Sequence, residues 1–540
     1  MPLLTYPRIP LDGLLRRAAR RDPEGAAISV ERAGEPAVVT FAELDRQADR
    51  VAHWLAGTSA TVVGVANPLD PGFAAAYYGT ARAGRTIALL NPLLGEARLA
   101  HVCAATGLQV AFVPASVAEL LVKIGDRLPE LHTVVVIDAE DGVVPGAAIP
   151  LGAALAGVPE GPYEGVAADV DDVVCVQFTT GTTGRSKGVR LTHRNLVANA
   201  AQIALAHDLD GDSVTVNHLP LLHTMHLNSA VYAGASQVLC ALPDPVASLG
   251  VAARVGATHY YGLPARLTRL AGDERLGEAG TAGVPAGARL KVVMSGGSAL
   301  APAAARRLRD ALRVPVVQGY GLAELSPLAT NQALDADPEA GAVGRPLAGT
   351  ECRVVSLGGR SPVEVWSTGE IQIRGPQLMA GYLDDDEPSP VDAEGWLTTG
   401  DVGYLDDTGG LHLVDRLSDV FKYDNELVAP SAVERILAED ARVAECIVVD
   451  WPDPVHGSLV WAGVVLREIP GGYGDPLDGP PGILDVLDSI AERANARLGH
   501  ADRIRRLEAL DAVPRNPGGK PTRRELRKRL HLRAAAEQAA

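Results

Sequence analysis

The residues best suited to chemistry in this chain of 540 residues lie in Val173–Val189, VVCVQFTTGTTGRSKGV. An apolar, strand-like run leads into hydroxyls and glycines and then reaches Lys187. Glycine lets backbone N–H groups close on an anion, threonine hydroxyls add donors, and a lysine neutralises charge. Thr179, Thr180, Gly181, Thr182, Thr183 and Gly184 with Lys187 therefore form a candidate phosphate cradle. It is not a Walker A loop, because Gly181-x-x-Gly184-x-x-Lys187 does not fit G-x-x-x-x-G-K-[ST]. An ordinary Gly/Thr turn is the competing reading. Lysine usage adds weight. Lysine occurs at 123, 187, 291, 422, 520 and 528 alone, and arginine supplies the rest of the 49 basic residues. Arginine's planar fork does not replace a compact ammonium at a tight site, so each lysine is a candidate for such a site.

Those residues need a scaffold, and the pattern around them predicts one. Strand-like runs at 26–30, 60–65, 110–114, 133–137, 173–178, 213–219 and 290–294 alternate with helical spacing at 41–56 and 303–312. Such alternation implies α/β architecture with largely parallel sheets. The Gly/Pro/Ala-rich stretch 138–168 reads as a connecting loop. Beyond about residue 345, short strands at 351–355, 369–374 and 411–414 between Gly and Asp turns predict an antiparallel β unit. Past Arg416 a smaller α+β segment follows, with helices at 431–438 and 483–498 and a Gly/Pro-rich loop at 471–482. The predicted division is a large N-terminal domain over 1–415, a hinge at 416–419 and a C-terminal α+β domain over 420–540.

Composition limits the partners. The formal charge of −17 argues against general nucleic-acid binding. No apolar run approaches the roughly 18–20 residues of a spanning helix, and the N-terminus lacks a signal-peptide core, so a cytoplasmic location and no membrane partner are expected. Five scattered cysteines without a C-x-x-C pair predict buried free thiols, not disulfides or zinc.

The Thr179–Lys187 stretch resembles the phosphate-binding signature of the ANL superfamily of acyl-CoA synthetases, peptide-synthetase adenylation domains and luciferases. Further stretches match that family in order: Leu219–His223 (LPLLH), Ser295–Leu300 (SGGSAL), Gln318–Glu324 (QGYGLAE), Gly395–Asp401 (GWLTTGD), Asp415–Asp419 (DRLSD) and Pro514–Lys520 (PRNPGGK). Arg523–Leu526 follows them. The resemblance implies a mobile C-terminal domain and an AMP-forming acid–thiol ligase. Such an enzyme uses ATP, Mg²⁺ and CoA, or a separate acyl-carrier protein in place of CoA.

It also implies roles. Gly296, Gly297, Ser298, Gln318, Gly319, Tyr320, Gly321 and Ala323 would line the nucleotide site, with the ring of Tyr320 under adenine and Gln318 at its edge. Glu324 is a hard oxygen ligand suited to Mg²⁺. The alternatives are a core tyrosine and a surface glutamate. Asp401 would accept both ribose hydroxyls, unless it only caps a turn, and Arg416 would add a second contact. Lys520 would bridge the substrate carboxylate and the α-phosphate, countering anion repulsion; a solvated tail lysine is the competing reading. After rotation about 416–419, Lys422 and Asn425 would serve the thiol step. His223 would gate the acyl pocket, near Met225, His226, Asn228, Tyr261, Met294, Leu325 and Ser326.

The chain departs from the family at three positions. Ala323 stands where threonine is usual, Ser418 at the hinge where Asp or Lys is usual, and Asn425 where glycine is usual. A specialist in one half-reaction and a non-catalytic acyl-adenylate binder are the alternatives to a complete ligase. LLHTMHLNS carries no aspartate for an α-ammonium, so an amino-acid substrate is disfavoured. With no carrier domain before Ala540, a free-standing monomer or homodimer is expected.

Overall fold

The computed structural model describes residues 5–31, 37–66, 68–139, 143–165, 168–179, 186–218, 224–277, 289–384, 386–467, 482–515 and 521–539. Among these, the strands form sheets of 13, 8 and 5 strands. In the largest, Ala26–Glu31, Ser236–Cys240, Val214–Asn217, His259–Gly262, Val292–Ser295 and Val316–Gly321 run parallel in that order. All four residues of His259–Gly262 and of Val292–Ser295 are buried, as two covered faces demand. Leu328–Asn331 then turns back beside Val316–Gly321. The antiparallel strands Ala342–Pro346, Leu411–Arg416, Leu397–Leu405, Gly369–Arg374 and Glu351–Val355 continue the same sheet. The β unit is thus hydrogen-bonded to the parallel sheet, an arrangement that a change in sequence texture alone does not reveal.

The eight-stranded sheet is parallel through Val173–Phe178, Thr86–Leu90, Val62–Ala66, Val110–Val113, Thr133–Val136 and Ile149–Pro150. Gly188–Thr192 and Gly381–Tyr382 add an antiparallel edge. The stretch expected as a loop over 138–168 contributes the strand Ile149–Pro150 and the short helix Leu151–Ala154. Ala154 and Leu155 are buried in the main core, and Ile149 and Leu151 pack against it, which anchors this strand and helix.

The third sheet is built from Phe421–Tyr423, Glu426–Val428, Val443–Asp453, Gly457–Leu466 and Ile504–Ala509. It has its own core, including Val433, Leu437, Val448, Val460 and Ile490. A separate sheet and core make this smaller C-terminal part a domain beside the large N-terminal one. Among the described residues, no helix is long and apolar enough to cross a membrane.

One helix matters most for the site. His193–Ala206 starts where the strand Gly188–Thr192 ends, held by a reciprocal cap between Thr192 and Asn195. Three buried amides, Asn195, Asn199 and Gln202, follow one face of it at helical spacing. Asn195 Nδ2 donates to Pro376 O at 2.9 Å and Asn199 Nδ2 to Leu328 O at 2.8 Å. Gln202 Nε2 reaches Ala348 O at 2.9 Å and Thr350 Oγ1 at 3.0 Å. A buried amide left unpaired costs about 1–3 kcal/mol, so these contacts fix where 324–330 and 376–382 lie against the helix.

Candidate functional site

The strands on either side of the candidate cradle, Val173–Phe178 and Gly188–Thr192, pair antiparallel. Phe178 pairs with Gly188, and the Thr179 N–H donates to Lys187 O at 2.9 Å. The Lys187 N–H returns to Thr179 Oγ1 at 3.1 Å, and Ser186 Oγ donates to Thr179 O. Thr180, Gly181, Thr182, Thr183 and Gly184 lie outside the described residues. Lys187 Nζ sits 2.5 Å from Glu387 Oε1 and 4.8 Å from the centre of the Tyr382 ring. The Tyr382 hydroxyl donates to Glu324 Oε1 at 2.9 Å.

Backbone contacts hold this group together. The Met379 N–H donates to Glu324 O at 2.9 Å, Ala380 to Arg190 O at 2.9 Å, and Leu383 to Gly188 O at 2.7 Å. Segments around 188, 324 and 381 are thus zipped side by side, so a cation and a carboxylate 137 residues apart share one tyrosine. Burial and the neighbouring Glu324 push the Tyr382 hydroxyl well above the ordinary tyrosine range, keeping it a donor. Neither Tyr382 nor Glu387 stands out in the sequence; the one signal is a lone aromatic in GYLDDDE.

A second group forms on the adjoining strands. The Tyr320 hydroxyl donates to Asp401 Oδ2 at 2.6 Å, and both residues are buried. Asp401 lies directly across the ladder from Arg416, with Oδ1 3.7 Å from Nε. Burial raises the Asp401 carboxyl above its ordinary value, and the Tyr320 hydroxyl and Arg416 oppose that shift. Burial and the adjacent Asp401 push the Tyr320 phenol up strongly. Gln318 Oε1 accepts the Leu300 N–H at 2.7 Å, so that oxygen braces the Ser295–Leu300 loop. In that loop Gly297 is left-handed at φ 88°. Gly321 is required by a close approach, since a Cβ there would lie 1.9 Å from Pro327 O. Gly319 sits in the same strand, paired with Asn331. Gly296 is half-buried, Ser298 is exposed, and Ala323 is buried.

The expected acyl pocket is less polar than its sequence suggests. Asn228 is spent on its own fold: Tyr78 donates to Oδ1 at 3.0 Å, while Nδ2 lies 3.1 Å from the Tyr77 hydroxyl and 3.2 Å from Thr224 Oγ1. Ser326 Oγ donates to Gln377 O at 2.8 Å. The His226 ring lies 4.1 Å from that of Tyr261, whose hydroxyl is 3.0 Å from His207 Nδ1. Burial pushes His207 down to about 3, so it is neutral. Met294 and Leu325 are buried, and His223 lies outside the described residues.

The AMP-binding enzyme family profile matches residues 15–383, and that of the AMP-binding enzyme C-terminal domain matches 432–520. The chain belongs to the AMP-binding enzymes of the ANL superfamily. It is 30% identical over 516 residues to 4-coumarate–CoA ligase 5 of Oryza sativa subsp. japonica, covering 91% of this chain and 89% of that one. ATP-bound MatB from Rhodopseudomonas palustris superposes with a TM-score of 0.83 at 25% identity, covering 96% of this chain and 99% of that one. Amide bond synthetase McbA from Marinactinospora thermotolerans gives 0.78 at 25% identity, with 96% and 99% covered.

In this AMP-binding enzyme the remaining expected residues lie in or beside the C-terminal domain. Tyr423 pairs with Glu426 across a two-residue turn in which Asp424 and Asn425 have φ of 46° and 66°. Such a turn requires left-handed residues, so Asn425 fits where glycine is usual. Lys422 Nζ donates to Asn425 Oδ1 at 3.2 Å. Ser418 is exposed, and Lys520 lies outside the described residues. Among the described residues, no three His, Cys, Asp or Glu converge as a metal cluster.

Proposed function

We propose that this AMP-binding enzyme joins a carboxylic acid to ATP, giving acyl-AMP and pyrophosphate, and then transfers the acyl group to the thiol of CoA, releasing AMP. The observation that carries the reading is that the one segment QGYGLAE contributes Glu324 to the group with Tyr382 and Lys187 and Tyr320 to the group with Asp401 and Arg416. Lys187 neutralises the phosphates after exchanging Glu387 for them. Asp401 accepts the ribose hydroxyls, with Arg416 beside it, and the Tyr320 ring faces the base. Glu324, oriented by Tyr382, would hold Mg²⁺, which when bound neutralises charge on the phosphate oxygens. Lys520 approaches the carboxylate in the first step, and Lys422 and Asn425 meet the thiol in the second, after rotation about 416–419. ATP and CoA as substrates accord with a cytoplasmic setting.

With Asn228 and Ser326 turned into the fold, the aromatic pair Tyr261–His226, its rings tilted by 40°, favours an acid with an aryl body. The likeness to 4-coumarate–CoA ligases agrees with that class. Ala323, without a hydroxyl for phosphate, favours a second reading in which adenylation is the slower half-reaction.

Mass spectrometry of products from a panel of aryl, fatty and terpenoid acids with Mg·ATP, with and without CoA, tests the reading. The expected result is acyl-AMP from an aryl acid, discharged to acyl-CoA. Acyl-AMP that only an amine or a carrier protein discharges would replace the acceptor. Failure to form acyl-AMP from any acid, together with failure to transfer from synthetic acyl-AMP, would overturn the assignment.

A further inference from the structure

The C-terminal helix Arg523–Ala539 sets Arg523, Arg527 and His531 one turn apart along one face. Arg527 uses its whole fork. Nε meets Asp450 Oδ1 at 2.5 Å, Nη1 donates to Ser418 O at 2.8 Å, and Nη2 donates to Asp419 O at 3.0 Å. One turn earlier, Arg523 Nη1 reaches Asp419 Oδ2 at 3.0 Å and Nη2 reaches Glu434 Oε2 at 2.7 Å, while Nε donates to Val448 O at 3.1 Å. One turn later, His531 Nε2 lies 2.7 Å from Asp450 Oδ2, on the oxygen that Arg527 leaves.

Asp450, Glu434 and Val448 belong to the C-terminal sheet and its first helix, so the arginines are rooted in that domain and grip the linker. The linker is held from the other side as well. The Leu417 N–H donates to Gly400 O at 2.8 Å, and the N–H groups of Asp419 and Val420 close a turn on Arg416 O at 2.9 and 3.0 Å. Between the two grips lie the Ser418 ψ and Asp419 φ torsions. The turn on Arg416 O spans the first of these; Ser418 O lies before the Asp419 N–Cα bond and Asp419 O and Arg527 beyond it, so rotation about Asp419 φ must pull Ser418 O out of the fork of Arg527.

We infer that Arg527, supported by Arg523, is a positioning residue that fixes the Asp419 φ torsion and so sets how the two orientations of the C-terminal domain are populated. The geometry stands by itself; the catalytic consequence rests on the two-step reaction proposed above. Lysine at 527 keeps the charge beside Asp450, but one ammonium cannot span two carbonyls and a carboxylate in a plane.

The test compares the full-length wild-type chain with R527K, D450N and R529K, the last an exposed cation on the same helix. Limited proteolysis after Leu417 reads opening of the linker, and cleavage should be about tenfold faster in R527K and less increased in D450N. The rate of acyl-AMP formation, divided by that of acyl transfer from supplied acyl-AMP, should shift about fivefold or more in R527K. R529K should match wild type, and melting temperatures should agree across the set. Wild-type cleavage in both R527K and D450N overturns the inference, as does a parallel fall of both half-reactions with lowered melting temperature. Should the wild-type chain form no acyl-AMP, the proteolysis still decides the linker's restraint, while the functional reading fails separately.

Discussion

On the proposed ribose side of the site, Tyr320 and Asp401 are only 8% and 9% exposed and already hydrogen-bonded to each other. On the phosphate side, the side chains of Lys187 and Glu387 keep 34% and 33% of their surface in solvent and neutralise one another. The first pair sits inside a ladder in which Asp401 faces Arg416, so its geometry is set before any ligand arrives. The second comes from separate segments and holds an internal anion where a phosphate would bind. One half is preorganised at a burial cost, and the other exchanges one partner for another. A buried carboxylate is expensive without donors, whereas a half-exposed ion pair is worth little and is readily exchanged.

The largest expected effect is on the phosphate side. Lys187→Ala removes the cation itself and should lower kcat/KM for ATP about 10²- to 10³-fold, as loss of a preorganised charge contact does. Steady-state kinetics checks it, and a change below a few-fold would mean the cradle works without this lysine. Next comes the ribose side. Asp401→Ala removes the acceptor and orphans the Tyr320 hydroxyl, so nucleotide affinity should fall about 10- to 100-fold by calorimetry, with a lower melting temperature.

Asp401→Asn separates binding from stability. The folded carboxyl is raised, so its favourable contribution is present at low pH and lost as pH rises through the folded pKa. Relative to wild type, the Asn variant should therefore gain stability over that same rise. Melting curves across the acid range would show it, and a constant offset would deny the burial cost. For the wild type, nucleotide affinity should weaken as pH falls and Asp401 takes up a proton.

Tyr382→Phe deletes the donor to Glu324 while keeping the ring under Lys187. About a fivefold loss, corresponding to one hydrogen bond, should appear as a raised Mg²⁺ requirement and not as a folding defect. The smallest effect sharpens the comparison in the opposite direction. Glu387→Gln frees Lys187 from its internal anion and should tighten ATP binding by up to about fivefold, the scale of a half-exposed pair. Weaker binding would show that Glu387 orients the lysine instead of competing for it.

Much of the fold was legible because its signals are local. The helix over 41–56 and the strands over 351–355 and 369–374 match their expected bounds, since apolar period and turn residues fix them within a few positions. Asn425 was compatible with a left-handed turn by residue type, and its φ of 66° bears that out. The polar acyl pocket was not legible correctly. Asn228 and Ser326 have the right chemistry for a ligand, but Tyr77, Tyr78 and Gln377, far away in sequence, had already taken their hydrogen bonds. Glu387 and Tyr382 went unseen for the converse reason, because nothing within their own segment marks them.

By itself the sequence determined the ANL assignment and named the groups proposed to meet phosphate, ribose and metal. Glycine spacing, hydroxyls and scarce lysines are properties of short segments, and short segments carry their chemistry wherever they fold. Only the tertiary structure decided which of those groups meet. Lys187 with Glu387, Tyr382 with Glu324, Asp401 with Tyr320, and Arg527 with the linker carbonyls are all long-range pairs. Sheet register and buried amides such as Asn199 set those distances, and both are satisfied only when the whole chain is packed.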